Sequence, residues 1–213
     1  MWDLQIFILL LPVLLLSLTI HEFSHGLIAH LLGDPTPYKE GRLTLNPIKH
    51  LDIFGALALV LTQAIGWAKP VPINPNYFKN PWRDMALTSA AGPISNLLLA
   101  TIFAFSYHLF QAFNLSLGSL KISEPLALIS YLGVRVNLGL ALFNFLPIPP
   151  LDGSKILVKF LPLSWRANYL RLELIGFFII LFLALTGILG ITLYPILKFL
   201  ANLLLNFTSI LFK

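Results

Sequence analysis

Residues 4 to 32 are apolar except for one cluster, His21-Glu22-Phe23-Ser24-His25. A run of that length predicts a helix able to cross a hydrocarbon layer about 30 Å thick. Pro12 is expected to bend it, which membrane helices tolerate, and Gly33-Asp34-Pro35 to end it. Residues 34 to 51 turn polar. Residues 53 to 66 are apolar again but only about 14 long, which suits a re-entrant or protein-packed segment better than a span. The prolines and asparagines of residues 67 to 83 predict an extended, irregular stretch, because proline removes backbone donors. A second span is expected from about 84 to 110, where Ala90, Ala91, Gly92 and Ser95 permit close helix approach. After a loop near 111 to 124, a third runs from about 125 to 147 and ends at Pro147-Ile148-Pro149-Pro150-Leu151-Asp152-Gly153. Residues 154 to 170 read as amphipathic and basic. Residues 171 to 213 are apolar with a break near Gly187 to Gly190, and read as two more helices. The chain has no internal repeat. The pattern predicts an all-α polytopic membrane protein. It has about five transmembrane helices, with a re-entrant or irregular membrane-associated segment between the first and second spans.

Composition agrees. Of 213 residues, 57% are hydrophobic and 11% charged, and the mean hydropathy is +0.84. Too few charges are present to make a soluble surface, so the bilayer is the expected solvent. The net charge of +5 is not gathered into a run that would grip a phosphate backbone, so no nucleic acid is expected as a partner. Met1-Trp2-Asp3 lacks the basic start of a cleavable signal peptide, so the first apolar stretch is expected to remain in the protein.

Charge placement predicts the topology. Lys39, Arg42 and Lys49 lie in one loop, Lys69, Lys79 and Arg83 in another, and Lys155, Lys159, Arg166 and Arg171 beyond the third span. Lys121 stands alone in the loop at 111–124. The positive-inside rule then puts the N-terminus outside and the basic segments in the cytoplasm, provided that residues 53 to 66 dip in and return. The chain reads as one membrane-embedded domain, residues 1–213, with a core at about 4–157 and C-terminal helices at about 170–213.

The candidate chemistry lies inside the first span. Histidines four apart share a helix face and can reach one metal ion. Glu22 is turned about 100° from His21, close enough to hold a water at the metal and act as its base. By chance alone, this His-Glu-x-x-His pattern would arise in a chain of this composition at a frequency of roughly 0.002. Ionisable groups inside an apolar span are costly, which points to function; the alternative is a polar cluster that only pairs helices. With no cysteine, any metal must take His and carboxylate ligands, and a catalytic zinc wants three of them plus a water. Asp152, at a proline-rich turn followed by Gly153, is the third candidate; an ordinary Asp-Gly turn at the membrane boundary is the alternative.

These residues resemble the site-2 proteases, the membrane-embedded zinc metalloproteases, in the compact prokaryotic branch without a PDZ domain. The matching pieces are His21-Glu22-Phe23-Ser24-His25-Gly26, Gly41 to His50 with its Asn46-Pro47-x-x-His50, Gly66 to Pro75, Ala91-Gly92-Pro93-Ile94-Ser95-Asn96, and Asn144 to Gly153. The resemblance implies one Zn2+ per chain on His21, His25 and Asp152, with Glu22 catalytic. It implies a transmembrane protein substrate cut within or near a membrane-spanning segment; a plasma-membrane protein is expected, with the active site toward the cytoplasm because His25 and Asp152 adjoin basic segments. It also places Asn144 near the metal, where an amide could donate to an oxyanion; an interhelical hydrogen bond is the alternative. A zinc-binding transporter or an inactive scaffold is the competing function; Glu22 between the two ligands argues for hydrolysis.

Four further residues stand apart. Asn46 and His50 offer either a second metal site or a loop-stabilising hydrogen bond. His30, nine residues past His21, is expected to face away from the metal, and His108 to lie at an interface. Arg135 is a misfit inside the third span, with snorkelling or a local ion pair as its default role.

Overall fold

The computed structural model describes residues 4–62, 66–113, 116–117 and 120–212. Met1-Trp2-Asp3, three residues of the predicted re-entrant segment (63–65) and four of the predicted 111–124 loop (114–115 and 118–119) lie outside the described residues. Helix α1 covers Leu4–Leu31, followed by a short α2, Thr36–Lys39. Then come α3 (Ile53–Thr62), α4 (Pro81–Ala112), a two-residue antiparallel ribbon of β1 (Ser116–Leu117) and β2 (Leu120–Lys121), and α5 (Ser123–Asn144). The chain closes with α6 (Asp152–Val158), α7 (Leu163–Leu170), α8 (Glu173–Leu185) and α9 (Ile188–Ser209).

Among the described residues four helices are long and apolar enough to cross a membrane: α1, α4, α5 and α9. Helices α7 and α8, bent by 60° at their junction, make a fifth candidate only if counted as one broken span. Adjacent long helices alternate in direction. Ser17, His21 and His25 of α1 meet Asn96 and Thr88 of α4 in reverse order. Asn96 and Phe103 of α4 meet Asn137 and Gly133 of α5, again reversed. At the far end of α9, Leu205 accepts from His108 near the end of α4, while Leu189 at its start lines a groove with Leu142 near the end of α5. So α5 and α9 are antiparallel, and the connection between them, residues 145–187, leaves and returns at one end of the bundle. That end also holds His21, His25 and Asp152. The 13 residues of α8 reach about 20 Å at 1.5 Å per residue, and Gly176 near its start packs against the Pro149 carbonyl at that end.

The core is built of small side chains. Ala100, Ala104, Val134, Leu138 and Ala201 form a buried cluster joining α4, α5 and α9. A Cβ on Gly133 would come within 2.4 Å of the Phe103 ring, so glycine there lets α4 and α5 touch. The large apolar side chains face outward instead: Leu98, Ile102, Phe178 and Phe199 are all exposed. Helices in lipid associate in this way, by close packing of small residues, since lipid is as apolar as leucine.

The segment at 53–66 behaves as the sequence suggests. Its helix α3 has ten residues, about 15 Å long. Leu51 bridges Ala68 across it, and Lys69 N–H donates to the His50 carbonyl, so the chain returns to where it left. Asp52 caps the helix by accepting from Gly55 N–H.

Candidate metal centre

The centre sits where three helices meet. His21 and His25 lie near the C-terminal end of α1, rings 4.6 Å apart and edge to face. Asp152 is the first residue of α6, delivered by the turn that follows α5. Gly153 makes that delivery possible: a Cβ there would fall within 2.3 Å of the Phe145 carbonyl oxygen. The Nε2 atoms of His21 and His25 are 3.0 Å apart and lie 3.2 and 3.1 Å from one Asp152 oxygen. The three side chains could hold one metal ion.

The outer ring nitrogens fix the protonation pattern. His25 Nδ1 lies 2.7 Å from the Thr88 carbonyl oxygen, an atom that only accepts. His21 Nδ1 lies 2.6 Å from Asn96 Oδ1. The amide nitrogen of Asn96 is committed to Asn137 Oδ1 at 2.8 Å and the Ser17 carbonyl at 3.3 Å, so its oxygen is the acceptor. Both imidazoles therefore donate through Nδ1, and both Nε2 atoms present lone pairs toward the same carboxylate oxygen. Two imidazole lone pairs and a carboxylate converging on one point make a ligand set for a cation, and His–His–carboxylate suits zinc.

Gly92 of α4 opens the space at the centre. A Cβ there would lie 2.4 Å from His25 Nε2 and 2.6 Å from His21 Nε2. Glu22 stands beside the cluster with Oε2 accepting from Val71 N–H at 2.9 Å. The extended stretch carrying Val71 is held from both sides: Arg42 donates to the Lys69 carbonyl, and Asp34 accepts from Asn74 N–H. Among the described residues Glu22 Oε1 has no hydrogen-bond partner.

Of the residues singled out in the sequence, the structure brings together His21, His25 and Asp152, with Glu22 alongside. Asn144 donates to the Leu140 carbonyl within its own helix. His50 bonds to the Thr44 carbonyl and Asn46 caps the turn at Pro47–His50, in accord with a loop-stabilising role. His30 stacks on Tyr38, away from the cluster, and His108 packs against Tyr107 and Phe212. Gly92 and Asn96 belong to a motif the resemblance picked out, but sequence reasoning gave them no role in the site, and it missed Asn137. For Asn137 the available signal was polarity: like Asn96 it is a fully buried amide inside an apolar span, and such groups must find partners.

Known proteins resemble this chain along most of its length. YwhC of Bacillus subtilis, provisionally named a zinc metalloprotease, is 40% identical over 204 residues, covering 96% of this chain and 92% of that protein. Rip2 of Mycolicibacterium smegmatis, with the same provisional description, is 34% identical over 185 residues, 85% of this chain and 68% of that protein. MJ0611 of Methanocaldococcus jannaschii, again so described, is 41% identical over 87 residues, covering 41% of this chain and 39% of that protein. No family model and no solved structure matches the chain.

Proposed function

This chain belongs to the zinc metalloprotease family of YwhC and Rip2, and we propose that it is a site-2 protease of the compact branch, hydrolysing peptide bonds within or near the transmembrane segments of other membrane proteins. His21, His25 and Asp152 hold one zinc ion, and Glu22 is the general base. One observation carries the reading: two imidazole lone pairs and a carboxylate converge on a single point, with a glutamate beside them that has one oxygen free. Simple metal storage has no use for that glutamate.

When bound, zinc acts as a Lewis acid, polarising the scissile carbonyl and making water acidic enough to lose a proton near neutral pH. The rest falls to the chain's own groups. Val71 N–H pins Glu22 Oε2, leaving Oε1 to take a proton from the attacking water. The new C–O bond forms as that proton moves to Glu22. The C–N bond then breaks as Glu22 returns the proton to the leaving nitrogen, giving a carboxylic acid and an amine. Asn144 joins this set only by turning its amide off the Leu140 carbonyl. The ten basic residues of loops 34–51 and 67–83 and segment 154–171 lie toward the end of the bundle that carries the site, which supports a cytoplasm-facing site in the plasma membrane.

The test is zinc content and cleavage together, on protein in liposomes with a single-span substrate. Wild type is expected to bind about one zinc and cleave. Glu22→Gln is expected to bind as much zinc and lose activity by about a thousandfold. Zinc in both with cleavage by neither, across a broad substrate panel, would favour transport or storage. No zinc in wild type would overturn the ligand set.

A further inference from the structure

Two positive charges of the bundle have no acidic partner among the described residues. Arg135 lies on α5, 12 residues after Ser123 and 9 before Asn144, which puts it roughly 18 Å and 14 Å from the two helix ends. Its guanidinium sits 5.9 Å from the Tyr131 ring centroid and 5.7 Å from that of Tyr194 on α9. Those rings hold the cation by its faces but accept none of its N–H donors. Among the described residues no oxygen accepts a hydrogen bond from Arg135, and no carboxylate lies within ion-pair reach. Lys198 is one helical turn past Tyr194, in the middle of α9, exposed, and likewise without an acidic partner among the described residues. Two unpaired cations at mid-depth of adjacent spans are costly in hydrocarbon unless a counter-charge comes to them.

The flank they stand on is open. Gly139, Leu142, Leu189, Gly190, Leu193, Tyr194 and Leu197 line an outward groove of about 250 Å³ between α5 and α9. Arg135 is one turn from Gly139 on the same face of α5. A Cβ on Gly139 or on Gly190 would meet nothing within 4 Å, so none of the described residues fills the space beside either glycine.

We propose that the α5–α9 flank docks a transmembrane helix of a partner membrane protein, one carrying an aspartate or glutamate at mid-depth that pairs with Arg135 and Lys198. Charge complementarity selects that occupant. A lipid phosphate stays outside the hydrocarbon layer, which is about 30 Å thick, and so lies beyond the reach of a side chain near its middle. A second copy of this chain brings no suitable acid: Asp84 and Glu124 sit in the first turns of α4 and α5, and Glu22, the acid inside α1, is bonded to Val71. The proposal is independent of whether the metal centre is a protease.

The experiment uses the full chain in zwitterionic liposomes. The probe is a synthetic Leu/Ala helix about 20 residues long with Lys flanks, bearing one central Glu or, as control, one central Gln. Association is read by energy transfer between dyes on the peptide and on the protein. The Glu peptide is expected to bind about tenfold tighter than the Gln peptide. Arg135→Leu and Lys198→Leu should each reduce that preference and the double variant abolish it, with the zinc content of every variant measured as a check on folding. Gly190→Leu, which fills the groove and leaves both charges in place, should weaken binding of both peptides. Equal binding of the two peptides to wild type overturns the proposal, as does a Glu preference that survives the double substitution. A preference that appears only when anionic lipid is absent, and vanishes when it is added, would assign the charges to lipid and overturn it too.

Discussion

At the scale of single residues, the centre depends on an atom that is not there. Gly92 presents no Cβ to the two imidazoles, and an added methyl group would sit within 2.6 Å of both Nε2 atoms. Gly92→Ala is therefore expected to displace one ring or fill the metal's place, lowering zinc affinity by at least about tenfold to a hundredfold. Gly139→Ala, where nothing lies within 4 Å, should leave zinc affinity unchanged. A zinc titration of the two variants checks both, and equal affinities would mean the ion sits elsewhere. The sequence made part of this legible. His21, Glu22 and His25 declare themselves because their spacing along one helix is their geometry. Asp152 is legible through its turn and the resemblance. The partners of Asn96 and Asn137 were not, because these amides act across helices, and no spacing rule within a chain reports which amide meets which ring.

At the scale of elements, the turn that delivers Asp152 is clamped from outside. The Tyr169 hydroxyl of α7 donates to the Pro147 carbonyl, and Gly176 of α8 lies so close to the Pro149 carbonyl that any Cβ would overlap it. The 145–151 turn is thus held between the end of α5 and the start of α8. Gly176→Val must push α8 off Pro149, an overpacking change that costs about 1 to 3 kcal/mol. The expected result is a lower unfolding temperature together with weaker zinc binding, because the displaced turn carries a ligand. Stability lost with zinc affinity intact would show that α8 supports the fold without supporting the centre. Composition predicted α8 as a helix correctly, and its length of 13 residues was there to be read. Its path was not, because an apolar run facing lipid on nearly every side looks the same whether it crosses the bilayer or lies at one end of the bundle. The segment at 53–66 was legible for the opposite reason: it is too short to cross, and the charges flanking it demand that it return.

At the scale of the whole molecule, the directions of the helices set the topology, and the topology can be tested directly. With α1, α4, α5 and α9 alternating and α8 returning to the end it left, α1 begins and α9 finishes at the end opposite the metal centre. Five crossings would put the starts and finishes of these helices on opposite sides of a membrane, whereas α9 packs with its finish at the same end of the bundle as the start of α1. The chain has no cysteine, so single cysteines can be introduced without background. In oriented membranes a reagent confined to the outer face should label Lys121→Cys and Phe212→Cys, and should miss Lys49→Cys and Lys159→Cys until the membrane is opened. If Phe212→Cys labels with Lys159→Cys instead, α7 and α8 cross as one broken span, and α9 must run the other way. That result would separate Leu205 from His108, whose side chain now bonds its carbonyl at 2.9 Å, and would carry Tyr194 away from Arg135. The labelling pattern therefore tests the four-span bundle, the side from which water reaches the metal centre, and the pairing of α5 with α9 on which the charged flank depends.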